Sequence, residues 1–486
     1  MKLVLDGHTY KYAIEQIMLA LFPEERPEYD SDKQADVTAK SRLSYGATYA
    51  QSVTVIETQS GEFRGTARIS RGKLTGKLVT DRLLQRLVKQ SFFRAAEGII
   101  SKPPVWGSLT GIRPAKIAGA KLSAGASMRS TIKMLVDEYY VSPERALMCA
   151  DAAQAALAMK SSITPRDISV YIGIPFCPSR CAYCSFVSNS VEKSYGLIEP
   201  FAEILISEIN MAAEVIREAD LRVISIYIGG GTPTILPAET LLKVSNALRS
   251  ALDFTNVREF TVEAGRPDTV TQEKLDIVKR MGAGRVCVNP QSMSDKVLSA
   301  IGRKHTSEDV KKAVLLAQRS GFAINMDIIA GLPDDTEESF RATVDSVLGI
   351  GPENITIHTL SLKKGSRIML EHPAIPGSAD VSAMLGYAQT RLKSSGYSPY
   401  YLYKQKYTSG GFENTGWSKP GYECIYNICM MEELSSVISL GGGGVTKIVA
   451  PGGRIERMFN AKFPREYILQ REKTEAKFAR IREMCG

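Results

Sequence analysis

Three cysteines fall within eight residues: Cys177, Cys181 and Cys184, spaced C-x3-C-x2-C in PFCPSRCAYCSF. Thiolates are soft ligands that select zinc, copper(I) or iron–sulfur clusters. Structural zinc wants four closed ligands, usually two C-x2-C pairs. Here there is no second pair and no suitably spaced histidine pair among the four histidines. Three cysteines on a four-iron cluster would leave one iron open to an outside ligand. An incomplete zinc site or coincidental thiols are the plainer readings. The other five cysteines, 149, 287, 424, 429 and 485, are expected to pack as small hydrophobes. Cys424 and Cys429 lie close to an aromatic run and could touch a substrate.

The trio needs a loop, because a helix of this length could not converge all three side chains. The preceding SVYIGI (169–174) reads as a strand. Five more candidate strands follow: 222–228, 258–264, 284–289, 322–329 and 354–360, with helical stretches between them. Parallel neighbours need such crossovers, so an α/β fold of (β/α) units is expected, with the site at the strand carboxyl ends. GGGTPT (229–234) ends the second strand, where glycine lets backbone approach a ligand closely.

YIGIPFCPSRCAYCSF, GGGTPT, VEAGRPD, NPQSMSDKVLSAIGRKH and MDIIAGLP, in this order, resemble the radical S-adenosylmethionine (SAM) superfamily. Within it they resemble the oxygen-independent coproporphyrinogen III oxidase family over about residues 168–450. The basic N-terminal third, with WGSLTGIRP, resembles the coproporphyrinogen dehydrogenase branch of Gram-positive bacteria. The resemblance implies a partial (β/α)6 barrel holding a 4Fe-4S cluster on Cys177, Cys181 and Cys184. The open iron would bind SAM, one or two molecules per chain, and reduction would release a 5′-deoxyadenosyl radical.

Site roles carry over in the same way. Tyr171 would sit beside the first SAM, and Tyr183 would pack on an adenine or simply in the core. Gly230, Gly231 and Thr232 would contact SAM. Glu263 would bind a ribose or amino group and, with Tyr171, serve the reaction. Gln291, Arg303 and Asp327 would surround a second SAM, or serve only as structure behind the site. Thr359 and Val445 match more loosely. The implied reaction decarboxylates two propionates to vinyl groups, giving protoporphyrinogen IX in heme biosynthesis. A reductant such as flavodoxin or ferredoxin would supply electrons.

Two departures bear on that reaction. Proven oxidases of the family often carry histidine where Gly173 stands, and a fourth cysteine where Phe186 stands. Heme-transfer relatives have phenylalanine at the second place. Cluster and cofactor therefore carry over, whereas the oxidase reaction does not carry over with them. The alternatives are a heme-binding transfer protein, for which His305 and His358 are possible axial ligands beside His8 and His372, or another tetrapyrrole-modifying radical enzyme. Radical RNA modification ranks last.

At 486 residues the chain should hold two to four domains. The boundaries read as 1–165, a basic α+β domain; 166–375, the barrel; and 376–486, a small C-terminal domain covering the substrate. Net charge is +9, and residues 40–94 alone hold 11 basic and 3 acidic side chains. That suits a polyanion such as a tetrapyrrole with four propionates, or is merely a solvated face. Arg113 and residues 64–94 are candidate propionate ligands, because guanidinium binds carboxylate in two places. The aromatic run 397–407, with Tyr397, Tyr400, Tyr401, Tyr403 and Tyr407, lines a tetrapyrrole cavity or forms a core strand. No run reaches the ~18 apolar residues of a membrane span. The first twenty residues lack a signal-peptide pattern, so a cytoplasmic protein with no membrane partner is expected.

Overall fold

A computed structural model describes residues 1–29, 35–184, 189–363, 365–371, 373–405, 409–450 and 454–485. Phe186, His372 and Tyr407, singled out above, lie outside these residues. The chain forms two compact units: residues 1–150 with 410–412, and the remainder. The boundary falls inside the helix Pro143–Ser161, earlier than the linker the sequence suggests at 161–167.

In the first unit the Thr- and Val-rich stretch makes an antiparallel meander, Thr38–Tyr45, Tyr49–Thr58 and Gly61–Ser70. Strand Lys2–Asp6 adds in parallel beside Thr38–Tyr45. Helices Lys11–Leu21 and Lys77–Ala96 bury Ile14, Ile17, Met18, Val88 and Phe92 with Leu3 and Ile56. The basic segment thus spans this meander and the helix Lys77–Ala96. Arg113 precedes the helix Pro114–Ser123, whose first residue is a proline suited to that position.

The second unit is organised by one long sheet. All six expected barrel strands form: Asp167–Ile174, Arg222–Gly230, Glu259–Glu263, Arg285–Cys287, Ala323–Ala330 and Asn354–Thr359. They pair in parallel and in sequence order. The first, DISVYIGI, is buried along nearly its whole length, as expected for a parallel strand covered on both faces. Its crossover helix Ile198–Glu218 turns Phe201, Leu205, Ile209 and Ile216 inward. Two later helices start on capping boxes, Thr306 with Asp309 and Thr336 with Ser339, which fix where the GRKH and AGLP loops end.

A separate C-terminal domain over 376–486 is not what forms. Strand Glu413–Ser418 extends the sheet beyond the sixth barrel strand, antiparallel to it, and Ser398–Lys404 adds antiparallel to Glu413–Ser418 at the edge. At the other edge Ser436–Gly441 pairs in parallel with the first barrel strand, followed by Val445–Val449 and Ile455–Phe459. The result is an eleven-stranded sheet, into which the region expected to cover the barrel is woven at both edges. Open sheet edges seek hydrogen-bond partners, and these strands supply them.

Among the described residues, no helix is long and apolar enough to cross a membrane.

Candidate functional site

The carboxyl ends of the parallel strands open into one cavity of about 430 Å³. That volume lies within the usual range of small-molecule sites. Cys177, Cys181 and Cys184 all line it, on the loop leaving the first strand, and all three thiols are free of disulfides. Backbone bonds hold that loop: Ala182 N–H donates to the Ile301 carbonyl (3.0 Å) and Ile368 N–H to the Ala182 carbonyl (3.2 Å). Ala182 itself packs among Val297, Leu298 and Leu332. The glycine loop is latched to the same segment. Gly231 N–H donates to Ile174 and Thr232 N–H to Phe176, each at 2.7 Å. A Cβ on Gly231 would fall 2.3 Å from the Phe176 carbonyl oxygen, so only glycine fits. Thr232 directs its hydroxyl to the Cys177 sulfur, 3.5 Å away.

Deeper in the cavity the third strand presents Glu263. It accepts hydrogen bonds from the Tyr227 hydroxyl and from Asn289 Nδ2 (2.9 Å). Burial, and then the charge of Asp327, push its carboxyl up to about 7. Asp327 goes the other way. Burial alone would raise it, but hydrogen bonding and charge from His358, with bonds from Asn325 and Thr356, outweigh burial and hold it below the usual carboxylate range. His358 Nε2 lies 3.5 Å from Asp327 Oδ2, and Asn325 Nδ2 donates to Oδ1 at 2.8 Å. Arg303 is buried and donates to the carbonyls of Asn289 (2.6 Å) and Gly265 (3.2 Å) and to the Tyr183 hydroxyl (3.1 Å). Gln291 has φ +68°, a left-handed backbone rare outside glycine. Bonds exchanged with Asp327 and Ile329 hold it there (both 2.9 Å). Such strain collects at functional sites.

Tyr171, Tyr183, Gly230, Gly231, Thr232, Glu263, Gln291, Arg303, Asp327 and Thr359 therefore share the cavity with the three cysteines. Val445 does not. It opens the strand Val445–Val449, paired with Phe459, outside the cavity lining. Arg113 is likewise absent from the lining, and so is His305, which is buried.

The sequence reading missed several lining residues. Tyr227 packs in a cluster with Tyr171 and Tyr426, ring centroids 6.3 and 4.7 Å away, and those two lie 5.9 Å from each other. Only the alternation of the second strand could have flagged it. Asn289, Arg266 and Ser179 sit inside the motifs given above and line the cavity as well. Of the aromatic run, Tyr401 and Tyr403 reach the cavity, whereas Tyr397 and Tyr400 are buried outside its lining. Cys424 and Cys429 do not line it. Cys424 donates to Glu259 (3.1 Å) and Cys429 is fully buried, while Tyr426 and Asn427 between them face the cavity.

Donor chemistry fits an iron–sulfur cluster. The three thiols share one cavity, one of them faces a hydroxyl donor, and a buried glycine loop lies against their segment. Among the described residues, no three His, Cys, Asp or Glu side chains are gathered tightly enough for a single metal ion. A cubane spreads its thiolates wider than one ion does.

Residues 171–347 match the family model described as the radical SAM superfamily. A Bacillus subtilis protein named "Oxygen-independent coproporphyrinogen-III oxidase-like protein HemZ" is 36% identical over 454 residues, 90% of this chain and 89% of that protein. The "Heme chaperone HemW" of Escherichia coli is 27% identical over 302 residues, covering 62% of this chain and 75% of that one. Among solved structures, the radical SAM coproporphyrinogen III oxidase HemN of Escherichia coli superposes with a TM-score of 0.53 at 21% identity. It covers 66% of this chain and 72% of its own. The superfamily implies a 4Fe-4S cluster and SAM. The chain belongs to the radical SAM superfamily and, within it, to the oxygen-independent coproporphyrinogen III oxidase-like family.

Proposed function

We propose that the chain is a radical SAM coproporphyrinogen III dehydrogenase, removing two propionate carboxyls to leave vinyl groups. The observation that carries this reading is the single cavity. It gathers the three thiols, the Gly230–Thr232 backbone, Glu263, Gln291, Arg303 and Asp327 with a tyrosine wall of Tyr171, Tyr227, Tyr401, Tyr403 and Tyr426. When bound, the cluster and SAM supply an adenosyl radical able to take a hydrogen from carbon. This chain's residues would do the rest. Cys177, Cys181 and Cys184 hold the metal. Gly230, Gly231 and Thr232 present backbone and hydroxyl to the methionine part of SAM. Glu263, its carboxyl pushed up to about 7, receives a ribose hydroxyl or an amino group. Stacked tyrosines offer flat faces to a tetrapyrrole. A small reductant of the flavodoxin or ferredoxin kind would deliver the electron that cleaves each SAM, a separate one-electron acceptor would take the electron left when each carbon dioxide departs, and SAM would bind as one or two molecules.

A second reading, heme transfer, has its own support. A Cβ at Gly173 would lie 2.2 Å from the Gly442 carbonyl oxygen, so the histidine of proven oxidases has no room. His358 lines the cavity and offers a ring nitrogen as a ligand. One anaerobic experiment separates the two. The chain is reconstituted with iron and sulfide, then given reductant, SAM and coproporphyrinogen III. Loss of two carboxyl groups by mass spectrometry supports the dehydrogenase. SAM cleavage without it, together with stoichiometric heme binding on titration, supports transfer.

A further inference from the structure

Arg266 has no part in the account above, yet it is 3% exposed, a buried guanidinium in the loop after the third strand. Its planar fork is divided between two tasks. The Nε–Nη2 edge grips Asp268 in two places, at 3.1 and 3.2 Å. That leaves Nη1, which donates to Ser179 Oγ (3.0 Å) and points at the Cys181 sulfur, 3.9 Å away. Asp268 thus fixes the arginine from behind, so that its free N–H faces the cysteine loop. Arg303 also bears on the Cys181 sulfur. His305 fills the space beside this pair, with Nδ1 3.9 Å from Asp268. Burial, then the charges of Arg303 and Arg266, drive its pKa down to about 4, so at neutral pH it adds no charge.

We propose that Arg266, oriented by Asp268, is a positioning residue that sets the reduction potential of the cluster through the Cys181 thiolate. The inference rests on the cluster assignment made above. Reducing a cluster adds one negative charge to the iron, sulfide and thiolate assembly. A cation donating to a ligand sulfur stabilises the reduced form more than the oxidised one. Hydrogen bonds to sulfur and net charge are recognised determinants of such potentials. The interaction is strong here because neither guanidinium nor sulfur is well solvated. Lysine could not serve both neighbours at once, since it lacks the fork.

The test is a spectroelectrochemical titration of the full reconstituted chain without SAM, following bleaching near 400 nm and the reduced-state EPR signal. Arg266→Met should shift the reduction equilibrium at least tenfold toward the oxidised form, 59 mV for a one-electron couple. Arg266→Lys should recover part of that shift. Asp268→Asn leaves the guanidinium without its counter-charge and should move the midpoint the opposite way, at least threefold. Iron and sulfide content is measured in every sample. Equal loading with an unchanged midpoint in Arg266→Met, or a lower midpoint in Asp268→Asn, overturns the proposal. Should Arg266→Met fail to fold, Asp268→Asn decides alone. A wild-type chain that takes up no cluster overturns the functional reading itself, and this one with it.

Discussion

Two glutamates of the second unit, one fully buried and one half-buried in the cavity, show how one residue type is put to opposite uses. Glu208, on the first crossover helix, is fully buried and crowded with donors. Lys477 Nζ pairs with it, and the Gly441 N–H (2.7 Å), Asn460 Nδ2 (3.1 Å) and the Tyr467 hydroxyl all donate to it. Lys477 is completed by the Ser439 carbonyl (2.9 Å) and Asn460 Oδ1 (3.0 Å). The carboxylate and the ammonium are both fully partnered, and the cluster ties the C-terminal helix Arg471–Cys485 to the sheet. Glu263 has a hydroxyl and an amide as partners, and the charge that bears on it is the like charge of Asp327. The first arrangement holds the fold together. The second leaves a carboxyl titrating near neutral pH in a cavity, which is where function is sought.

Breaking the first glutamate should cost most. Glu208→Ala strands Lys477 and should destabilise the second unit by about 3–5 kcal/mol, read by denaturant unfolding. Replacing both partners, Glu208→Met with Lys477→Met, should recover most of the loss. A full loss in the double variant would mean that Gly441 and Tyr467 carry the cluster instead. Glu263→Gln should behave in the opposite sense. A carboxyl whose folded pKa is raised keeps its proton between its ordinary value and about 7 while the unfolded chain releases it, so stability falls as pH rises through that window. Glutamine escapes this fall, so the variant should gain on wild type from pH 4.5 to 8, by roughly 2 kcal/mol, measured by melting against pH. A constant difference would show that Glu263 does not titrate there.

Smaller effects sharpen the contrast. Gly173→Ala presses a methyl on the Gly442 carbonyl beside the Glu208 cluster and should cost about 1–3 kcal/mol. Tyr227→Phe removes a donor that favours the ionised Glu263. It should raise that carboxyl further, by up to about one pKa unit, seen by infrared titration of the carboxyl band.

Most of the barrel was legible because its strands are short apolar runs separated by amphipathic helices, a local signal. The cysteine trio and Gly230–Thr232 were legible because spacing and glycine dictate what a loop can hold. What stayed hidden depends on pairing between distant segments. Nothing in SVISLG says that residues 436–441 lie parallel to the first barrel strand, so the last region read as a separate domain. The same blindness left the glycine run 441–444 without a task, and the strand that Val445 opens lies outside the cavity lining. Tyr401 and Tyr403 could not be told from Tyr400, because alternation gives faces but not which face meets a cavity.

The fit between Gly173 and the turn at Gly441–Gly442 has a bearing on how the molecule is made. Gly442 N–H donates to the Gly173 carbonyl at 2.8 Å, and a Cβ on Gly442 would lie 2.7 Å from the Pro175 ring, two residues before Cys177. The stretch that braces the cysteine loop is therefore translated more than 250 residues after it. Until that stretch leaves the ribosome the loop lacks this contact, so its final geometry is reached after synthesis rather than during it.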